Sequence, residues 1–206
     1  MVKAIFFDLW GTLVENGSFP SPVKQIWRLI PERMSFQDFI VKFEKSLMIQ
    51  EFDNLVKAFT KVLKDFKTKD EELVEKMVGV WNRNALFSRL FPDAKVLEDL
   101  KKKYKLVLLS NSTSEARNVI EKFKIEEYFD LIYISCEQGK LKADLFNEAL
   151  KKLKLKPEDA VMVGDSTHTD IDGAERVGIR GILLDRRNKR EFENKIVSLN
   201  DLESVL

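Results

Sequence analysis

Apolar residues along this chain follow two different periods. Near the N-terminus Ala4-Ile5-Phe6-Phe7 is continuously apolar and stops at Asp8. That is the pattern of a strand covered on both faces, as in a parallel sheet. Similar short runs recur at Lys105–Leu109, Leu131–Ile134, Ala160–Val163 and Gly181–Leu184. Between them, apolar residues three and four apart predict helices over about 93–103, 114–123, 143–153 and 170–177. The tail from Lys195 predicts a short strand and a last helix. From about residue 21 to 86 no strand is predicted. Four amphipathic stripes stand there instead. They are Val23/Ile26/Trp27/Ile30, then Phe36/Phe39/Ile40/Phe43/Leu47 behind a Ser35 cap, then Leu55 to Phe66, and last Leu73/Met77/Val80/Trp81. Strand alternating with helix implies an α/β protein with a doubly wound parallel sheet. The division expected is a core of residues 1–15 and 89–206, with residues 16–88 inserted as a helical domain after the first strand.

Composition narrows the function classes. The 206 residues are 44% hydrophobic and 33% charged, enough to bury a sizeable core. Lys and Arg number 35 against 34 Asp and Glu, so the net charge of +1 leaves no footprint for nucleic acid. No apolar run is long enough to span a bilayer, and no signal peptide opens the chain, which predicts a cytoplasmic protein without membrane partners. One Cys (Cys136) and one His (His168) exclude an internal disulfide and any cysteine or multi-histidine metal cluster.

The chemistry is expected where the strands end. A parallel sheet presents the carboxyl ends of its strands along one edge, and ligands bind there. Asp8, Ser110 with Asn111, and Asp165 with Asp170 follow three such ends. Carboxylates brought together repel unless a cation or proton lies between them. A hard divalent ion, Mg²⁺ above all, answers that need with oxygen ligands.

Asp8-x-x-Gly11-Thr12-Leu13, the strand ending Leu109-Ser110-Asn111, a downstream Lys and Val163-Gly164-Asp165-Ser166-x-x-x-Asp170 together resemble the haloacid dehalogenase superfamily over essentially the whole chain. The resemblance implies a Rossmann-like core with an all-helical cap. It makes Asp8 the nucleophile, Ser110 and Asn111 the binders of the transferred group, and Mg²⁺ the cofactor. The ion's ligands would be Asp8, the Trp10 backbone carbonyl, Asp165 and Asp170, the last through water or by orienting the loop. A lysine would neutralise charge, and Lys142 is favoured over Lys140. The implied activity is a phosphatase of a small phosphorylated metabolite, as a monomer or small homo-oligomer. Alternatives are a metal-independent 2-haloacid dehalogenase and a phosphate-binding member without turnover.

One departure matters. Where the phosphatases carry a second Asp, the general acid/base two residues after the nucleophile, this chain has Trp10. An indole offers only a donor N–H. Losing a general acid/base costs ~10²–10⁴ in rate. A weak or leaving-group-dependent phosphatase is therefore expected, unless Glu15 or a glutamate of the cap substitutes. His168, Arg83 and Arg89 are expected to be surface or rim residues, and Cys136 a packed thiol.

Overall fold

The computed structural model describes residues 1–206. Six parallel strands form one sheet: β1 (Ala4–Phe7), β4 (Lys105–Ser110), β5 (Leu131–Ile134), β6 (Ala160–Gly164), β7 (Arg180–Leu184) and β8 (Lys195–Ile196), in the order β5-β4-β1-β6-β7-β8. The α/β fold expected from the alternation is what the chain adopts. The central strand, β1, pairs Phe7 with Leu108 on one side and with Val163 on the other. From β1 the chain builds outward through β4 and β5, then returns to build β6 to β8 on the opposite side. That reversal opens a crevice beyond the ends of β4, β1 and β6.

The apolar runs serve two layers at once, because alternate side chains of a strand point to opposite faces. Ile5, Phe7, Leu106, Leu108, Val161 and Val163 enter one core layer. Ala4, Phe6, Val107, Leu109 and Met162 enter the other, where the ring of Phe6 stacks on Phe146 of helix α8 (Lys142–Leu153).

The insertion folds around a third core of its own. Helices α1 (Pro22–Leu29), α2 (Phe36–Leu47), α3 (Leu55–Asp65) and α4 (Glu71–Phe87) close over Phe39, Phe43, Phe59, Phe66, Met77 and Trp81. Ser35, Asn54 and Asp70 cap α2, α3 and α4 by accepting backbone N–H groups of the first turn. Entry and exit lie side by side. Strand β2 (Val14–Glu15) pairs antiparallel with β3 (Arg89–Leu90), a two-residue ladder that the pattern of apolar positions does not predict. No helix is long and apolar enough to cross a membrane.

Three expected helices differ. The segment begun at Pro92 is a 3₁₀ turn, Pro92–Val96, followed by only one α-helical turn, α5 (Leu97–Leu100). Its Asp93 carboxylate is committed to Arg186, Ser198 and Leu199, which ties the segment to the tail. The segment begun at Asp170 is instead a π-helical turn, Thr167–Ile171, before the short α9 (Asp172–Glu175). The tail helix is 3₁₀, Leu199–Val205. Two further short helices complete the core: α6 (Glu115–Lys122), which was expected, and α7 (Ser135–Gln138), which was not.

Candidate active site

Asp8 leaves β1 still held by the sheet, its backbone N–H donating to Val163 O at 3.0 Å. The next residues turn sharply. Gly11 has φ +84°, and a Cβ there would lie 2.4 Å from Asp165 Oδ2. Gly164 likewise makes room, since its Cβ would stand 2.1 Å from Asp170 Oδ2. The two glycines let backbone approach the carboxylates more closely than any side chain permits.

Helix α8 delivers the lysine. Its preceding residue, Leu141, has no capping side chain, and Asn111 supplies the cap across space, its Oδ1 accepting from Lys142 N at 2.7 Å. The Lys142 side chain is buried, and Nζ donates to Asp8 Oδ1 and to Asp170 Oδ1, each at 2.5 Å. Lys140 lies outside, exposed and paired with Glu148. Of the two lysines the sequence left open, the structure brings Lys142 to the carboxylates.

Ligand oxygens of Asp8, Asp165 and Asp170 lie within 4.8 Å of one another. Burial pushes the Asp8 carboxyl up to about 7, against the pull of Lys142. Burial, then Asp8 and Asp170, push Asp165 up to about 8. Burial alone would lower the Lys142 ammonium, but Asp170 and Asp8 outweigh it and hold the proton firmly. Asp170 is well supplied with donors, since its Oδ2 also accepts from Ser166 N at 3.0 Å. Asp165 has no such partner and faces Asp8 across the glycine turn. Its oxygens and those of Asp8 and Asp170 form a hard-oxygen donor set able to hold a divalent cation.

The remaining expected residues fall in different places. Ser110 ends β4, and its buried hydroxyl has no partner. Trp10 Nε1 donates to Ser112 Oγ at 3.2 Å, tying the indole to the loop that follows β4. Glu15 is exposed on β2 and lines a neighbouring groove, away from Asp8. His168 sits near Asp172 at 3.8 Å, outside the cavity that holds Asp8. Arg83 and Arg89 are exposed, while Cys136 is buried, its thiol pushed up to about 11 by burial.

A cavity of about 370 Å³ lies between this cluster and the helices of the insertion. One row of α2 and its end, Phe36, Ile40, Glu44 and Met48, faces it at four-residue spacing. Glu44 is a glutamate of the cap that the sequence did not single out. It accepts from Asn111 Nδ2 at 2.9 Å, and burial raises its carboxyl to about 7. A signal existed: a lone charge in a row otherwise apolar is out of place on a packed face. Asn16, Ser21, Pro22 and Val23 around the start of α1, Trp81 and Asn84 of α4, and Glu115 of the core helix α6 line the cavity as well.

A family profile described as haloacid dehalogenase-like hydrolase matches residues 2–178. The chain is 29% identical to the glyceraldehyde 3-phosphate phosphatase of Methanothermobacter thermautotrophicus, over 98% of this chain and 94% of that one. It is 24% identical to the human N-acylneuraminate-9-phosphatase, over 91% of this chain and 84% of the other. Among solved structures, a 2-haloacid dehalogenase from Pseudomonas syringae superposes with a TM-score of 0.67 at 21% identity, covering 100% of this chain and 98% of that one. A phosphatase from Thermococcus onnurineus superposes with a TM-score of 0.64 at 22% identity, covering 99% and 97%. The fold is thus common to two chemistries, and the side chains must choose between them.

Proposed function

The chain belongs to the haloacid dehalogenase-like hydrolases, and from that premise we propose that it is a Mg²⁺-dependent phosphatase of a small phosphorylated metabolite. The observation that carries this reading is the charge of the cluster. Three carboxyl groups within 4.8 Å of one another meet one ammonium, Lys142, so that once all three are ionised the surplus is negative. A phosphate dianion would be repelled from such a site unless a further cation shared it. Asp8, Asp165 and the Trp10 carbonyl would hold that ion, whose bound charge would draw in the phosphoryl group.

Asp8 then attacks phosphorus through a carboxylate oxygen, and the bond to the leaving oxygen breaks. Lys142 offsets charge on the Asp8 side as the aspartyl phosphate forms. The Ser110 hydroxyl, buried and unpartnered, and the region of Asn111 receive the transferred group's oxygens. Water cleaves the aspartyl phosphate in a second displacement. The leaving oxygen needs a proton that the indole of Trp10 cannot deliver, and we assign that proton to Glu44, whose carboxyl at about 7 keeps it partly protonated near neutral pH. The insertion covers the site and limits the access of bulk water.

The dehalogenase alternative is disfavoured by the cavity's cations. A 2-haloacid carries a carboxylate and needs a free positive partner. Lys142 is committed to Asp8 and Asp170, and Arg190 to Asp165 O, Leu184 O and the Asp185 carboxylate. Release of phosphate from p-nitrophenyl phosphate tests the proposal. Turnover that requires Mg²⁺, stops with chelator and vanishes in Asp8→Asn supports it. Chelator-resistant release of chloride from 2-chloropropionate would replace it with the dehalogenase. Metal binding with neither activity would leave a binding protein.

A further inference from the structure

The cavity wall contributed by α4 and the start of α6 bears polar atoms that the mechanism does not use. Asn84 is 6% exposed, lines the cavity, and its Oδ1 has no hydrogen-bond partner. A buried acceptor left unmade is costly, so this atom is suited to a donor that arrives with a ligand. Glu115 lines the same wall, its carboxyl beside the Trp81 indole, and burial raises it to about 7. The Asn84 oxygen and the ionised Glu115 carboxylate accept hydrogen bonds, with the Asn84 NH2 an amide donor beside them. Glu44, in either protonation state, adds no positive charge. Phe36, Ile40 and Trp81 supply apolar surface between them. The two cations of the cavity, Lys142 and Arg190, are already paired with carboxylates or carbonyls, as above. A carboxylate or second phosphate on the leaving group would therefore meet acidic groups and no free cation. A hydroxyl or ammonium would meet waiting acceptors. At about 370 Å³ the cavity is at the small end of ligand sites and matches a small leaving group.

Resting on the phosphatase reading of this same site, we infer that the substrate is the phosphate monoester of a small, donor-bearing, non-anionic alcohol, and that Asn84 and Glu115 select it. The donor is supplied equally by a polyol or by an amino alcohol. Selection acts on the leaving group and leaves the displacement at phosphorus unchanged.

The test compares four phosphate esters in Mg²⁺: glycerol 3-phosphate, O-phosphoethanolamine, phosphoglycolate and p-nitrophenyl phosphate. The expected kcat/KM for glycerol 3-phosphate or O-phosphoethanolamine exceeds that for phosphoglycolate by about 10-fold or more, since a site that leaves buried polar groups unpaired rejects the wrong ligand. Whichever of the two leads identifies the polyol or the ammonium as the donor. Glu115→Arg, on a part-exposed helix start, is expected to reverse the order by favouring phosphoglycolate, and Glu115→Gln to narrow the gap. If p-nitrophenyl phosphate is cleaved while phosphoglycolate equals or beats the other two esters, the selection is wrong and the phosphatase stands. An unmoved ratio in Glu115→Arg overturns it as well. If p-nitrophenyl phosphate is not cleaved either, the phosphatase reading falls first and takes this inference with it.

Discussion

The two sides of the cavity are built on opposite plans. On the sheet side, charged groups neutralise one another: Lys142 bridges Asp8 and Asp170, and Asn111 holds the start of α8. On the helical side, Glu44 and Glu115 are carboxyls raised by burial with no cation bound to them, and Asn84 keeps an idle oxygen. Pairwise neutralisation fixes atoms in place, which suits the bond-breaking end of a site. The idle Asn84 oxygen and the Glu115 carboxyl suit the end that recognises a ligand, while Glu44 faces back toward the bond-breaking end through Asn111.

The contrast breaks first at the nucleophile. Asp8→Asn is expected to lower phosphate release from p-nitrophenyl phosphate by more than about 10⁴-fold, measured as steady-state turnover. Lys142→Ala should follow with about 10³-fold. It should also destabilise the chain by roughly 3–5 kcal/mol in a denaturant titration, because two buried carboxylates lose their shared partner. Asp165→Asn should abolish the rise in melting temperature on adding excess Mg²⁺, a rise worth about 2.7 kcal/mol at a hundred times the dissociation constant.

Changes on the helical side should be gentler and dependent on pH. Glu44→Gln is expected to cost about 10²-fold in kcat/KM on esters with poor leaving groups, and less on p-nitrophenyl phosphate. In the wild type kcat/KM should fall above pH about 7 as Glu44 loses its proton, and the variant should lose that limb. The same shift acts on stability. The folded chain holds the Glu44 proton more tightly than the unfolded chain, so stability is lost as pH climbs from the ordinary 4.5 through about 7. Glu44→Gln should therefore melt higher than wild type at pH 8 and equally at pH 4. Smallest of all, Lys140→Ala should change neither turnover nor melting, because its ion pair with Glu148 is exposed.

These two sides also differ in how far they could be read from the residues. The fold was open to inspection because each strand is a short apolar run cut off by a polar residue, and because four stripes of the insertion repeat at helical spacing. Asp8, Asp165 and Asp170 stood out for the same reason, each at or just past a strand end. The sequence favoured Lys142 over Lys140 by resemblance alone; in three dimensions burial and contacts with Asp8 and Asp170 set it apart from the exposed Lys140. Glu44 was foreseen only as an unspecified glutamate of the cap, and Asn84 and Glu115 were missed because a polar residue on an amphipathic helix reads as solvated face. Only their meeting across the insertion and the core, far apart in sequence, gives them a cavity to line. The π-helical turn at Thr167 was equally hidden. It depends on Asp170 Oδ2 reaching back to Ser166 N and on Ser166 Oγ accepting from Thr169 N.

The paired strands β2 and β3 have an architectural consequence. Glu15 and Arg89 are opposite one another on adjacent strands, so the whole helical unit hangs by two neighbouring threads beyond the end of the central strand. Cutting it out and joining those threads with an Asn-Gly hairpin turn would demand almost no rerouting of the remaining backbone. The layers on either face of the sheet draw none of their buried apolar residues from α1 to α4. The excised scaffold should thus still fold, stripped of its roof, and offer its acidic rim to open solvent.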